Sequence, residues 1–442
     1  MLKRRRFLEK SAHWVAAASL FGPHLNASDS SADYGPLIPD PNKILDLPKG
    51  FSYKVISKIG ETMSDGLPVP PMHDGMAAFP GENGTIRLVR NHEAGAQKAD
   101  AEEPLLKTDK KEKLYDQGGP GIVVRGGTST LVYDPQKKML VNHFMSLAGT
   151  IRNCSGGPTP WNSWITCEET TTKVSKRCLK DHGFCFDVPS GANELVKPEP
   201  ILGLGRFNHE AVAFDSRTGY VYETEDRPDG LLYRFLPKDR NDLHQGGQLQ
   251  ALCLADSPSA DTTNRKAKTM EIGRKWKVKW VDVDNVLSPE DDLRRRGFAA
   301  GAAKFHGGEG LWFHDGKIIF TCKGGGKAGL GQTFVYRPEA KPSDRLSLDG
   351  TLELFLEPNN REQYNSGDNL TVSPSGDIYI CEDGRQKNGV LRALPSGELY
   401  RFAMNSMNSS EMAGGCFSTD GKIFFVNIQK PGMTLAIHGP FV

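Results

Sequence analysis

The sequence predicts an all-β fold, a six-bladed β-propeller with inserted loops and a short helical insertion, and three observations carry that expectation. The 442 residues include 48 glycines and 28 prolines that punctuate short β-rich runs, the pattern of strands joined by tight turns. Several segments repeat one plan: acidic residue, strand, glycine-bearing turn, second strand. These segments recur at roughly 45 to 90 residues, a spacing that suits propeller blades, each giving its first strand to a central channel.

The clearest repeats are EAVAFDSRTGYVYETED (210–226), EGLWFHDGKIIFTCKGGG (309–326), DNLTVSPSGDIYICEDG (368–384) and EMAGGCFSTDGKIFFVN (411–427). MHDGMAAFPGENGTIRLVRNHE (72–93) and GTIRNCSGGPTPWNSWITCEET (149–170) fit more loosely, with STLVYDPQKKMLVNHF between them. Together they make about six units. A β-sandwich with coincident hairpins is the alternative. Residues 255–300, charged and containing DDLRRRG, read as a helical insertion between blades. The run GGGKAGLGQ (324–332) lacks the G-K-[ST] of a phosphate loop and reads as a hairpin loop. Trp161 and Trp164 are expected to pack between blades.

Ahead of the repeats, MLKRRRFLEKSAHWVAAASLFGPHLNA pairs Arg4 and Arg5 with Phe7 and Leu8 before a modest apolar run. This resembles a twin-arginine signal over residues 1–27, used to export proteins already folded around cofactors. The expectation is a periplasmic or secreted chain whose residues 28–442 form a single propeller domain, a monomer that meets the twin-arginine export machinery as a partner. The apolar run is too short for a permanent membrane anchor.

Fifty-five basic against 54 acidic side chains leave a net charge of +1, so no overall field draws the chain to nucleic acid. Nor are basic residues interleaved with aromatics. Eight cysteines are too few for a disulfide scaffold at this length. With no CxxC pair nothing points to a zinc ribbon, while Cys178 and Cys185 stand close enough in sequence to bridge a loop.

In a hairpin, the start of the first strand and the end of the second lie at the same end of the sheet. Acidic residues occupy those places: Glu210 with Glu223, Glu225 and Asp226; Asp368 with Glu382 and Asp383; Glu309 and Glu411 at strand starts; Glu93, Glu168 and Glu169 at strand ends. Converging on one channel mouth, they would repel one another unless cations neutralised them. Oxygen ligands suit calcium, whereas a thiolate among them points to a transition metal as well. Cys154, in the glycine- and proline-rich loop RNCSGGPTPW, is the natural donor. His92 and His209 both occur in NHE and are expected to hydrogen-bond carboxylates rather than bind a metal themselves.

The ordered set of a twin-arginine signal, GTIRNCSGGPTPWNSWITCEE, RFNHEAVAFD, EGLWF and DNLTVSPSGDIYICEDG resembles the PhoX family of alkaline phosphatases over most of the mature chain. The resemblance implies a six-bladed propeller holding calcium (Ca2+) and iron (Fe3+), with Cys154 as the thiolate that bridges two irons. It implies that Glu168, Glu169, Glu210 and Glu309 coordinate these ions, with Asp226, Asp368 and Glu382 as further ligands. The implied reaction is metal-assisted hydrolysis of small-molecule phosphate monoesters, in which cations neutralise charge on the phosphoryl oxygens. Arg152, Arg385 and Lys323 are candidate catalytic clamps by their nearness to these motifs. One departure is YETED, where Glu223 joins Glu225 and Asp226. The rival readings are a calcium-dependent propeller that hydrolyses lactones or phosphotriesters, and a non-catalytic propeller whose ions join its blades. A site of the former kind needs no thiolate.

Overall fold

Six β-hairpins carry the repeated segments: His73–Pro80 with Ile86–His92, Asn153–Pro158 with Ser163–Glu168, His209–Asp215 with Tyr220–Glu225, Gly308–His314 with Lys317–Cys322, Gly367–Val372 with Ile378–Glu382, and Met412–Phe417 with Ile423–Ile428. Their first strands adjoin one another in chain order, and the sixth adjoins the first, so the inner strands close a ring. In this computed structural model the described residues are 33–99, 111–339 and 350–441. The stretch 1–27, read as an export signal, lies outside them. Gly35–Phe441 form one compact unit, and every element named here belongs to it.

The fold is all-β and propeller-like. At least two further strands extend each hairpin outward, save the second, which gains one, Cys185–Pro189. The sixth is completed by an early segment: Ser52–Lys58 pairs with Met433–His438, opposing Val55 to Leu435 and Tyr53 to Ile437. Uniting an early and a late strand in one sheet closes the ring without a disulfide.

The sheets do not separate into six. Lys275–Asp282, within the region expected to be a helical insertion, pairs with Gly350–Leu356 and joins the third and fourth hairpins in a single ten-stranded sheet. Its sequence KWKVKWVD alternates charged and apolar residues, which is the strand period. The expected helix does form, but is confined to Leu293–Ala299, where Arg294 reaches Asp229 at 2.9 Å.

Apolar cores lie between neighbouring hairpins, as they must if each sheet is to bury both faces. Trp164 fills the space between the first and second with Ala77, Phe79, Val89 and Phe186. Trp161 meets Phe214 edge to face at 5.1 Å between the second and third. Tyr222, Phe320, Phe334 and Tyr336 fill the next interval. Among the described residues, no helix is long and apolar enough to cross a membrane.

Candidate metal centre

Each inner hairpin carries a β-bulge at the same place. The register shifts between His73 and Met76, Asn153 and Gly156, His209 and Val212, Gly308 and Leu311, Gly367 and Leu370, and Ala413 and Cys416. A bulge re-aims a side chain, and the first residue inside five of these six is Asp74, Cys154, Glu210, Glu309 or Asp368. Beyond the last paired residue of each second strand come Glu93, Glu169, Asp226, Lys323, Asp383 and Gln429. The structure thus brings two sets of residues to one end of the ring.

Close approach of the inner strands needs small residues beside the ligands. A Cβ on Gly75 would lie 2.6 Å from the Ser155 Cα, and one on Gly310 would lie 2.5 Å from the Leu370 amide nitrogen. Side chains near the ends of second strands fix the register between neighbours. Asn91 donates to the carbonyl of Cys154 at 3.0 Å, Thr224 to that of Glu309 at 2.6 Å, and Asn427 to that of Asp74 at 2.6 Å.

Three overlapping ligand groups result: Asp74, Glu93 and Cys154; Cys154, Glu169 and Glu210; Glu210, Glu309 and Asp368. Within each, the donor atoms lie within 4.8 Å of one another. Cys154 is shared by the first two and Glu210 by the last two. Burial, with the charges of Asp368, Glu169 and Asp74, holds Glu210 well above the usual carboxylate range. Burial and its neighbours' charges raise Glu309 likewise, and burial lifts Asp368 to about 7 against the opposing charge of Lys323. The Cys154 thiol is pushed up by burial, then by Asp74 and Glu210. Both carboxylate oxygens of Glu210, and Oε1 of Glu309, are buried with no hydrogen-bond partner among the described residues. Oxygens buried in that way carry a desolvation cost that a cation relieves. The donor set, many carboxylates around one thiol, therefore fits calcium with a transition metal at the sulfur.

The expected residues divide. Cys154, Glu169, Glu210, Asp226, Glu309 and Asp368 come together. Glu168 and Glu382 do not, because neighbours on a strand point to opposite faces. Glu168 accepts hydrogen bonds from the backbone of Ile151 and Gly183, both at 2.8 Å, and lies 2.6 Å from His182 Nδ1. Glu382 accepts from the amides of Asn365 and Gly389, at 2.8 and 3.0 Å, and pairs with Arg401. These two carboxylates order the turns behind the centre.

Arg152 joins the cluster, bound to Glu93 at 2.8 Å and to Glu169. Lys323 occupies a ring position, paired with Asp383 and within 4.0 Å of Glu309 and 3.9 Å of Asp368. Arg385 is exposed on the turn beyond Glu382 and stands apart. Asp74 was missed; its signal was an acidic residue before glycine at a strand start, as in Glu309–Gly310. His92 contacts the Ser129 hydroxyl and the Pro71 carbonyl rather than a carboxylate. Cys178 and Cys185 do not bridge, and all eight cysteines are free.

His182, between Glu168 and Asp116, gives a test of the turn beneath the centre. Burial alone would depress its pKa, but the two carboxylates override it and raise the imidazole to about 9. Because the folded value exceeds the unfolded 6.5, the stabilisation is full below 6.5 and disappears as pH rises through about 9. The shift corresponds to on the order of 3 kcal/mol. A His182→Gln variant is expected to melt well below the wild type near neutrality, with the gap closing above about pH 9. Thermal melts across that range check this, and a gap independent of pH would contradict it.

A family model described as alkaline phosphatase PhoX matches residues 32–432. Among solved structures, the chain is similar to Pseudomonas fluorescens PhoX in complex with vanadate, a transition state analogue, with a TM-score of 0.69 and 17% identity over 92% of this chain and 97% of that one. A gluconolactonase from Xanthomonas campestris aligns with a TM-score of 0.45 and 11% identity, over 92% of this chain and 98% of that one. A luciferin-regenerating enzyme gives 0.43 and 10%, over 88% and 96%. At 17% identity the likeness to the Pseudomonas fluorescens structure is one of fold. No curated protein matches the chain in sequence.

Proposed function

The chain belongs to the PhoX family of alkaline phosphatases, metal-dependent enzymes that hydrolyse phosphate esters, and from that premise we propose that its acidic ring is a calcium and iron centre at the mouth of a six-bladed channel, where phosphate monoesters are cleaved. The observation that carries this reading is Glu210: a buried carboxylate with both oxygens unpartnered, shared by two ligand groups. The residues that would hold iron are Cys154, Glu169 and Glu210, while Asp74, Glu93, Asp226, Glu309 and Asp368 supply the oxygen-rich surround that suits calcium.

When bound, such cations supply Lewis-acid neutralisation of phosphoryl charge and a nucleophile at usable pH. The chain's own residues do the rest. Arg152, half exposed and anchored by Glu93 and Glu169, can turn its remaining N–H groups toward a phosphate, the planar fork that suits phosphate oxygens. Lys323, held by Asp383, brings an ammonium beside Glu309 and Asp368. Its charge is secured by those carboxylates against the opposing effect of burial, and an ammonium there can stabilise a leaving alkoxide electrostatically. Anchoring both cations on carboxylates fixes their position before substrate arrives.

In the same reading, residues 1–27 direct twin-arginine export, residues 28–442 fold as a single monomeric domain, and the enzyme works in the periplasm or outside the cell on small phosphoesters. The test is hydrolysis of p-nitrophenyl phosphate at alkaline pH by the natively exported protein. Turnover is expected to fall on calcium chelation and to return with added calcium. Turnover indifferent to chelation, or absent from fully metallated protein, would contradict the proposal.

A further inference from the structure

A second cluster of metal-binding side chains lies between the second and third hairpins, behind the acidic ring. Cys167 and Cys185 are direct cross-strand partners, and their Sγ atoms stand 3.6 Å apart, unbonded. His209 opens the third hairpin and Glu223 lies near its end; Nδ1 and Oε2 are 3.1 Å apart. Cys185, His209 and Glu223 offer donor atoms that all fall within 4.8 Å of one another. All four side chains are fully buried.

The hydrogen bonding leaves this cluster incomplete. His209 Nε2 donates to the Gly205 carbonyl at 3.2 Å, which puts the proton on Nε2 and leaves the Nδ1 lone pair facing Glu223. That pairing orients an imidazole as a metal ligand. Nδ1 and both Glu223 oxygens have no hydrogen-bond partner among the described residues. An ionised Glu223 facing that lone pair inside an apolar wall, with Phe207 stacked on the imidazole at 3.6 Å, needs a proton or a metal cation between them.

We propose that Cys167, Cys185, His209 and Glu223 form a structural binding site for a thiophilic divalent cation of the zinc type, joining the second and third hairpins. Two sulfurs, one nitrogen and one carboxylate oxygen make the four-donor set of a closed tetrahedral site, whereas an oxygen-seeking cation has one carboxylate to bind there. Zinc–sulfur bonds of about 2.3 Å separate two thiolates by roughly 3.8 Å, close to the separation found. The site is separate from the acidic ring because His209 and Glu210, adjacent on one strand, face opposite sides. Glu223, the extra acid of YETED, is the residue that completes it.

Cobalt substitution and metal analysis of the full chain test the proposal. The Cys154→Ala, Cys178→Ser double variant, which removes the thiolates of the acidic ring and of the Asp116, Cys178 and His182 group, is expected to bind about one equivalent of zinc and, with cobalt, to show tetrahedral visible bands and thiolate charge transfer. Cys185→Ser and Glu223→Gln should each lose that equivalent and the spectrum. If a replacement prevents folding, the cobalt spectrum of the double variant decides alone. A spectrum without thiolate charge transfer, zinc unchanged in Cys185→Ser, or a Cys167–Cys185 disulfide detected by mass would overturn it.

Discussion

Replacing Cys154 by alanine is expected to lower phosphate-monoester turnover by on the order of 10³-fold, the loss of several kcal/mol of Lewis-acid stabilisation, and to abolish iron binding while the fold survives. The reasoning rests on where the thiol sits. Cys154 is shared by two ligand groups, one with Asp74 and Glu93 and one with Glu169 and Glu210. Burial and those carboxylates push its pKa well up, so without a metal the thiol stays protonated and inert. A transition-metal cation reverses that preference by coordinating the thiolate. The strand itself is held by other groups: Asn91 bonds the carbonyls of Cys154 and Ser155 at 3.0 and 2.7 Å. Losing the sulfur should therefore leave the bulge in place. Metal analysis alongside the rate measurement checks this, and an iron-replete, active variant would sink the assignment.

The second large effect has opposite signs in two states of the protein. Glu210→Gln should reduce turnover to a similar extent, because this carboxylate belongs to two ligand groups. In chelated protein the same change should raise the melting temperature. Burial first, and neighbouring carboxylates second, raise the folded pKa of Glu210 well above 4.5. A raised carboxylate costs stability as pH climbs from its unfolded value toward its folded one, and a neutral amide removes that cost. The chelated variant should thus exceed the chelated wild type most clearly at alkaline pH, while the metal-loaded order reverses. Melts in both states measure it; a variant less stable than the wild type in chelator would show that Glu210 is satisfied without cations.

The repeated hairpins were legible because strands of alternating residues end at glycine turns, and the acidic residues at their ends followed from the hairpin plan. Which acid faces the channel was not legible. Glu168 and Glu169 are neighbours, so only one can point inward, and the choice depends on register and on bulges that no residue type marks. The same holds for Glu382 against Asp383. Asp74 escaped because its hairpin departs from the others in spacing. Lys275–Asp282 was hidden by its lysines, although its alternation was visible. The cluster of Cys167, Cys185, His209 and Glu223 joins two hairpins, and only tertiary structure brings such residues together.

The most direct test of the central claim is anomalous diffraction at the iron edge from crystals of the active enzyme purified from its native host. The account predicts an iron peak bounded by Cys154, Glu169 and Glu210, with calcium-sized density toward Glu309 and Asp368. Active crystals with no iron beside Cys154 would contradict it.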